Sequence, residues 1–494
     1  MIRPFNEFTY SLSKAADLLG AQKINFSDCD FTGLTHVDSE IQPGDIFLAF
    51  PGAKSHGAQY IESAKSRGAV AVLTDQEGVA FSHGVPTLVV PHVREAGAVL
   101  ASSFYRSPIR DLQSIGITGT NGKTTVSTLL YQLFTAIGRE SGLIGTVETR
   151  IGAESIKSSR TTPEAADLQA LVATMRERHL RHLVMEVSSH SLDLKRMVGS
   201  HFSIVGFTNL SQDHLDYHKD MESYFAAKSK LFSTEYADLG FINIDDAYGL
   251  RLFQSESIPM ISLSRSNQSA TWHFTSISPT TSGTDFTIRG KDGILIESST
   301  SLRGGFNLDN LLLVISIAYE CGVDPLEMAA LLPTLKGAPG RLEQISLGQG
   351  FNALVDYAHS PDAVVNVLQA LREFTSGRVI GVLGCGGDRD SSKRSLMGEA
   401  LSQGCDVAIF TSDNPRSEDP AQILTEMTQS LSIQEPSSVI VDRAAAIRYA
   451  VSLATPGDTV VILGKGHESG QEIQGVVAPF DDRLQLALEI ESKR

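Results

Sequence analysis

Thr118-Gly119-Thr120-Asn121-Gly122-Lys123-Thr124-Thr125 lies between a strand-like apolar run, Leu112 to Ile117, and a helical pattern, Val126 to Ile137. A strand, a glycine-rich turn and a helix start together make an anion site. Backbone N–H groups of the turn point at phosphate oxygens, and the helix N-terminus adds partial positive charge. Gly119, Thr120, Asn121 and Gly122 would form the cradle, with Thr125 closing it. Lys123 can reach the β- and γ-phosphates, and the Thr124 hydroxyl suits a magnesium ion. The strict phosphate-loop pattern asks for a glycine five residues before Gly122. That position is Ile117, and Gly116 comes one residue early. A glycine-rich turn with a stray lysine is the plain alternative. The coincidence of strand, Gly-Lys-Thr-Thr and helix weighs against it, so the stretch implies ATP or a close relative.

Around this stretch are 494 residues, too many for one core, and about three domains is the natural expectation. Hydrophobic content of 41% with 20% charged residues fits a soluble globular protein. The net charge of −16 argues against nucleic acid as a partner, because phosphate backbones call for surplus lysine and arginine. An anionic substrate must then be met by local basic residues. Cys29, Cys321, Cys385 and Cys405 show no metal-like spacing and make no disulfide framework. The first residues carry no apolar signal core, and no run approaches the ~18 apolar residues of a membrane span. These features predict a reduced, cytoplasmic protein with small-molecule partners and no membrane contact, acting as a monomer.

Residues 1–108 alternate apolar runs (45–50, 69–73 and 86–90) with turns, and 60–67 has helical spacing between them. Ser107-Pro108 reads as a linker. Residues 109–337 alternate strands, at 182–187, 203–207 and 240–244, with helices near 165–178 and 222–232. That order predicts a parallel sheet covered on both faces. From 271 to 299 short alternating runs with glycine turns suggest antiparallel strands. Lys336-Gly337-Ala338-Pro339-Gly340 breaks the chain. Residues 338–494 then carry strand runs at 353–355, 379–383, 407–410, 439–441 and 459–463, predicting a second doubly wound, Rossmann-like α/β domain.

Ligands of open α/β sheets lie beyond the C-terminal ends of the strands. Glu186 sits in such a strand, ahead of Ser188-Ser189-His190. A buried carboxylate there needs an arginine partner or a bound cation, and magnesium is the stronger reading. Thr208-Asn209-Leu210-Ser211-Gln212-Asp213-His214-Leu215-Asp216-Tyr217-His218 follows the next strand and would face the same crevice.

With Gly119–Thr125, Met185–His190, Thr208–His218, Tyr224–Lys228, Gly305–Asn310, Gly340–Glu343 and Asp356–Asp362 in this order, the chain resembles the Mur ligases, ATP-dependent amide-forming enzymes of bacterial cell-wall synthesis. The resemblance implies that ATP turns a substrate carboxylate into an acyl phosphate, which an incoming amine attacks. It implies Lys123, Lys228 and His214 as catalytic residues, and Thr124, Glu186, His214 and Lys228 around Mg2+. Lys228 would be carbamylated, which makes a cation into an anionic oxygen donor. Taken alone, Lys228 would read as a surface helix lysine. Asn307 and Asn310 would lie on the adenine side, although helix capping suits Asn307 equally well. Arg341 and Asp356 would be carried over the nucleotide by closure of the third domain.

The first domain resembles the uridine-nucleotide domain of the branch that adds the third residue of the peptide stem, through Asp38-Ser39, residues 42–49 and His56-Gly57. Ser39, His56, Gly57, Thr161, Thr162, Ser188 and Arg196 are the implied contacts to UDP-N-acetylmuramoyl-L-alanyl-D-glutamate. Glu40 stands where relatives usually carry arginine, and Leu194 where many carry glutamine. Asp413-Asn414-Pro415-Arg416 matches relatives that add meso-diaminopimelate, which is lysine with an extra distal carboxylate. Arg416 can hold that carboxylate with two parallel hydrogen bonds, whereas lysine would leave the guanidinium unpaired. Arg389, Gly464 and Glu468 would complete the amino-acid site. Ligation of L-lysine and a nucleotide-binding regulator on the same fold are the competing expectations. A regulator should have lost Lys123, Glu186, His214 or Lys228, and all four are present.

Overall fold

The structure, a computed structural model, describes residues 2–52, 55–82, 84–158, 160–280 and 283–493. The strand Gln113–Thr118 is the fifth of eleven in the largest sheet, flanked in parallel by His182–Glu186 and Phe202–Phe207. Such strands are buried on both faces, which explains their near-continuous apolar sequences. Helices Lys123–Ala136 and Gly305–Glu320 cover one face through Val126, Leu129, Phe134, Leu311 and Ile315. Helix Ala165–Glu177 covers the other with Leu168, Val172 and Met175. Its alanines, Ala166, Ala170 and Ala173, join the core built around Phe31, Leu100 and Phe104 and so weld the first region to the second.

Beyond Ser141–Ile144 this sheet ends in an antiparallel hairpin, Glu148–Ile151 and Glu154–Lys157, which no sequence pattern announced. At the other edge Trp272–Pro279 still pairs in parallel with Met260–Ser264, and only then do Thr284–Arg289 and Leu295–Thr300 turn antiparallel. The pattern change expected from 271 to 299 is thus an extension of the main sheet; residues 281 and 282 fall outside the described residues. Helix Lys123–Ala136 begins three residues before the periodic run, because its first turn is the phosphate loop itself.

The N-terminal sheet has five strands in the order Gln22–Ile24, Thr87–Val89, Ala71–Thr74, Asp45–Leu48 and Gly33–Thr35, parallel except for the first. Gln22–Ile24 and Gly33–Thr35 went unread because neither lies in an apolar run, unlike the equally short Thr87–Val89. The C-terminal sheet has six strands ordered Glu343–Gln344, Asn352–Asp356, Thr459–Leu463, Val379–Leu383, Val407–Phe410 and Ser438–Val439, antiparallel only at the first. The protein is α/β throughout. No helix among the described residues is long and apolar enough to cross a membrane.

Candidate active site

The loop after Gln113–Thr118 is held from below by its neighbour. Thr208 Oγ1 donates to the Asn121 carbonyl at 2.6 Å, Asn209 Oδ1 accepts from the Asn121 N–H at 2.9 Å, and the Thr120 N–H donates to Asn209 O at 2.8 Å. The segment after Phe202–Phe207 therefore does face the phosphate loop. Gly119 and Gly122 have φ of 147° and 90°, and a Cβ on either would run into Thr208 or Asn310. Only glycine fits both the backbone and the space there. Asn310 Nδ2 donates to Asn307 Oδ1 at 3.3 Å, and Asn307 Nδ2 to Arg303 O at 2.8 Å. Asn307 is not the cap of its helix, since Gly304 holds that position.

Glu186 is 1% exposed and meets no arginine; among the described residues it has no ion pair. Its carboxylate accepts from Thr124 Oγ1 at 3.0 Å, the Thr146 N–H at 2.8 Å and Thr146 Oγ1 at 2.9 Å. A buried anion satisfied only by neutral donors is a place for a cation. Lys228, also 1% exposed, is the opposite case. Its Nζ donates to Gly119 O at 2.6 Å and lies 4.7 Å from the Tyr224 ring centre. Burial drives its ammonium well below the ordinary lysine value, with repulsion from Lys123 adding to the effect and Asp213 opposing it. The surface-lysine alternative is thereby excluded. Burial also lowers Lys123, whose Nζ donates to Gly119 O at 2.9 Å and Thr120 O at 3.0 Å. His214, with φ 56°, is lowered to about 4, desolvation of the ring outweighing the pull of Asp213, while 43% of its side chain stays exposed.

Among the described residues no three His, Cys, Asp or Glu side chains converge as a protein-only metal cage. Magnesium does not need one. It takes one or two carboxylates and fills its shell with water and nucleotide phosphates. The Thr124 hydroxyl and the Glu186 carboxylate beside a phosphate loop fit that demand.

A cleft of about 710 Å³ joins the central sheet's loops to those of the C-terminal sheet. His190, Asp213 and His214 line one side; Arg389, Asp413, Asn414, Arg416, Gly464 and Glu468 line the other. Pro415 is not part of this lining, and its place is to turn the chain between Asn414 and Arg416. Asn414 Nδ2 donates to Glu468 Oε2 at 2.8 Å, and its Oδ1 accepts from Lys465 Nζ at 3.0 Å and the Glu472 N–H at 3.0 Å. Lys465 is fully buried, with its Nζ 3.3 Å from Glu468 Oε2. Gly464 has φ 110°, and a Cβ there would stand 2.6 Å from Asp413 Oδ2. Arg416 adopts φ 52°, donates through Nη1 to Gly387 O at 2.7 Å and keeps Nε 3.7 Å from Glu472 Oε2. An L-lysine substrate would therefore leave this guanidinium with these protein contacts and without a substrate anion, rather than wholly unpaired as expected. Behind these loops, Arg443 makes paired 2.7 Å contacts to Asp482 and donates to Ser412 O and Leu463 O, tying both loop-bearing strands together.

Arg341 stacks 4.4 Å over the Tyr357 ring and is near enough to Lys123 to depress its ammonium, which brings the C-terminal region up to the phosphate loop. Asp356 accepts the Leu342 and Ala358 N–H groups, each at 2.7 Å, and so ties the residue after Arg341 to the loop that follows strand Asn352–Asp356.

In the first region, Ser39 lies in the short helix Asp38–Glu40. His56 sets the turn before Gly57, its Nδ1 accepting from the Ala58 N–H at 3.0 Å and its Nε2 3.1 Å from Asp75. Beside Glu40 a guanidinium is engaged within the protein. Arg3 grips Asp45 at 2.7 and 2.6 Å and reaches Glu40 O at 3.4 Å. Thr162 Oγ1 lies 3.2 Å from Ser188 Oγ, Arg196 Nη1 donates to Thr162 O at 3.3 Å, and Thr161 Oγ1 accepts from Thr146 Oγ1 at 3.0 Å. Thr146 and Arg443 went unnoticed in the sequence because neither belongs to a motif with a spacing of its own, and Lys465, inside the Gly464–Glu468 run, was given no role.

A phosphate loop facing a buried carboxylate, with a second α/β unit closing over it, defines a nucleotide-dependent P-loop protein. Comparison narrows this class. Three family models match: the Mur ligase family catalytic domain over residues 31–105, the Mur ligase middle domain over 117–318, and the Mur ligase glutamate ligase domain over 340–466. The UDP-N-acetylmuramoyl-L-alanyl-D-glutamate–2,6-diaminopimelate ligase of Streptomyces coelicolor is 48% identical, covering 98% of this chain and 97% of its own. The enzyme of the same name from Corynebacterium glutamicum is 42% identical, covering 97% and 94%. A solved structure with that name superimposes with a TM-score of 0.66 at 32% identity, covering 94% of this chain and 95% of that one. Folylpolyglutamate synthase from Mycobacterium tuberculosis, at 19% identity, shares the fold over 74% of this chain with a TM-score of 0.61. The chain belongs to the Mur ligase family.

Proposed function

We propose that the protein is an ATP-dependent ligase that joins meso-diaminopimelate to UDP-N-acetylmuramoyl-L-alanyl-D-glutamate in cytoplasmic peptidoglycan precursor synthesis. The observation that carries the reading is the shared cleft, whose far wall presents Arg389, Asn414, Arg416 and Glu468 opposite His214 and Asp213. The relatives at 48% and 42% identity bear the name of this activity.

In this reading the first region takes the uridine nucleotide at Ser39, His56 and Gly57. Thr161, Thr162, Ser188 and Arg196 position the peptide arm. One substrate carboxylate oxygen attacks the γ-phosphorus of ATP, the bond to the bridging oxygen breaks, and ADP leaves. The diaminopimelate amine then attacks the acyl phosphate, and the tetrahedral adduct collapses to amide and phosphate. Gly119–Thr125 hold the phosphates, Lys123 neutralises charge on the transferred group, and Asn307, Asn310, Arg341 and Asp356 settle the nucleotide. Thr124, Glu186, His214 and a carbamylated Lys228 would hold Mg2+, which supplies charge neutralisation at the phosphates. The lowered Lys228 supports that modification, because carbon dioxide adds to the neutral amine and not to the ammonium. Closure of the C-terminal region over the nucleotide would keep water from the acyl phosphate.

The site's preference should follow Arg416. It spans the gap between Gly387 and Glu472, so a substrate carboxylate would add to those contacts, whereas an L-lysine side chain brings only another cation. The test is ADP release with ATP, Mg2+ and the UDP-muramoyl dipeptide, comparing meso-diaminopimelate with L-lysine. Turnover with diaminopimelate alone is expected. Turnover with lysine would overturn the specificity, and turnover with neither would overturn the ligase reading.

A further inference from the structure

Glu164 is 4% exposed and touches guanidinium groups from three parts of the chain. Its Oε2 accepts from Arg94 Nη1 at 2.8 Å, and its Oε1 stands 2.5 Å from Arg160 Nη1 and 3.0 Å from Arg196 Nε. Arg94 comes from helix Val93–Phe104 of the first region, Arg160 from the loop ahead of Thr161, and Arg196 from the turn after helix Ser189–Asp193. The neighbouring ionisable groups include His36 and Asp167, 3.9 Å apart, with Tyr217 and His190 within electrostatic reach of Arg196 and Glu40 within reach of Asp167. Even with Asp167 counted as an anion, the cluster's cations outnumber its carboxylates, in a chain whose net charge is −16. Three guanidiniums crowded round one carboxylate repel one another, and an anion arriving among them relieves that repulsion.

The cluster stands one step from the reacting centre. Arg196 Nη1 donates to Thr162 O, and Thr162 Oγ1 donates to the backbone carbonyl of Glu186 at 3.0 Å. Thr146 bridges Thr161 Oγ1 and the Glu186 carboxylate. A substrate arm ending in two carboxylates, one reacting at the phosphate loop, would place the other near these arginines. Arg94 is partly occupied elsewhere, stacked 4.9 Å over Phe50 and 3.4 Å from Pro51 O. Arg160 is 49% exposed and supports no core.

On the ligase reading above, we infer that Glu164 is a positioning residue that gathers Arg94, Arg160 and Arg196 into one clamp. Arg94 and Arg160 then join Arg196 in gripping the free α-carboxylate of the D-glutamyl residue. Neither arginine belongs to the set inferred from the family motifs. Arg160 and Glu164 bracket the run Arg160-Thr161-Thr162-Pro163-Glu164, so two members of the clamp flank two of the implied substrate contacts.

The experiment compares two substrates, the UDP-muramoyl dipeptide and its analogue amidated at the D-glutamyl α-carboxylate. Arg160→Gln should raise KM for the natural substrate about 10- to 100-fold while leaving KM for ATP and diaminopimelate unchanged. With the amidated analogue, wild type and Arg160→Gln should differ by less than about twofold, since the charge they differ in gripping is gone. Glu164→Gln should raise the same KM, and Glu164→Asp should recover part of the loss. Equal penalties on both substrates would overturn the clamp and leave these residues a purely structural tie. Calorimetric binding of the two dipeptides without ATP repeats the comparison independently of turnover. If wild type binds the natural dipeptide but turns over neither amine, the ligase reading fails while the clamp stands. If Arg160→Gln binds both dipeptides as wild type does, the clamp fails alone.

Discussion

Two buried lysines, one in each α/β unit, show how a single residue type is put to opposite uses. Lys465 lies under the C-terminal loops with the Glu468 carboxylate and the Asn414 side-chain oxygen as partners. Lys228 lies under the phosphate loop with one peptide carbonyl and an aromatic ring. The first is a fixed charge that orders a turn. The second has lost water without gaining an anion, so its ammonium is the form that burial penalises. A buried lysine is thus a strut or a reactive amine according to its partners, and depth alone does not decide which.

The hardest blow to this contrast falls on Lys228. Lys228→Ala should lower kcat about 10²- to 10³-fold, with partial recovery when short carboxylates are added to occupy the place of the carbamate. Loss without any recovery, in a folded variant, would remove the carbamate from the account. Next comes Arg416→Ala, which should raise KM for diaminopimelate about 10- to 100-fold at constant KM for ATP. Matching losses in both would show that Arg416 serves the loop and not the substrate. Lys465→Met should cost about 1–2 kcal/mol in urea unfolding, since Glu468 keeps Asn414 and is one-third exposed. The smallest effect concerns pH. Between the lowered folded value of Lys228 and its ordinary 10.5, the unfolded chain holds a proton that the folded chain has released. Stability must therefore rise with pH through that window. In carbonate-free buffer Lys228→Met should flatten the rise and be no less stable than wild type near neutrality. A clear destabilisation would mean that Lys228 is a strut like Lys465.

Much of this was legible beforehand. The C-terminal strands Val379–Leu383, Val407–Phe410 and Thr459–Leu463 match their apolar runs, because parallel strands covered on both faces need no alternation. Glu186, the phosphate loop and the Asn414 turn were visible because each stands at a strand end. The depth of Lys228 was not: the sequence Ala226-Ala227-Lys228-Ser229 is equally at home on a surface. Only the packing of helix Met221–Ser229 beneath Gly119 buries it. Arg3 and Asp45, or Arg94 and Glu164, lie 42 and 70 residues apart, so their pairing is a property of the folded chain and leaves no local pattern. The two edge strands of the N-terminal sheet were missed because Gln22–Ile24 and Gly33–Thr35 carry no apolar run, whereas the equally short Thr87–Val89 sits inside one.

The Gly119 carbonyl accepts from both Lys123 and Lys228, at 2.9 and 2.6 Å. Two amines that share one acceptor lie close together, and each is already lowered by its own burial. The two ammonium groups therefore compete for one oxygen, and the loop that cradles phosphate also keeps a pair of amines that resist being charged at the same time.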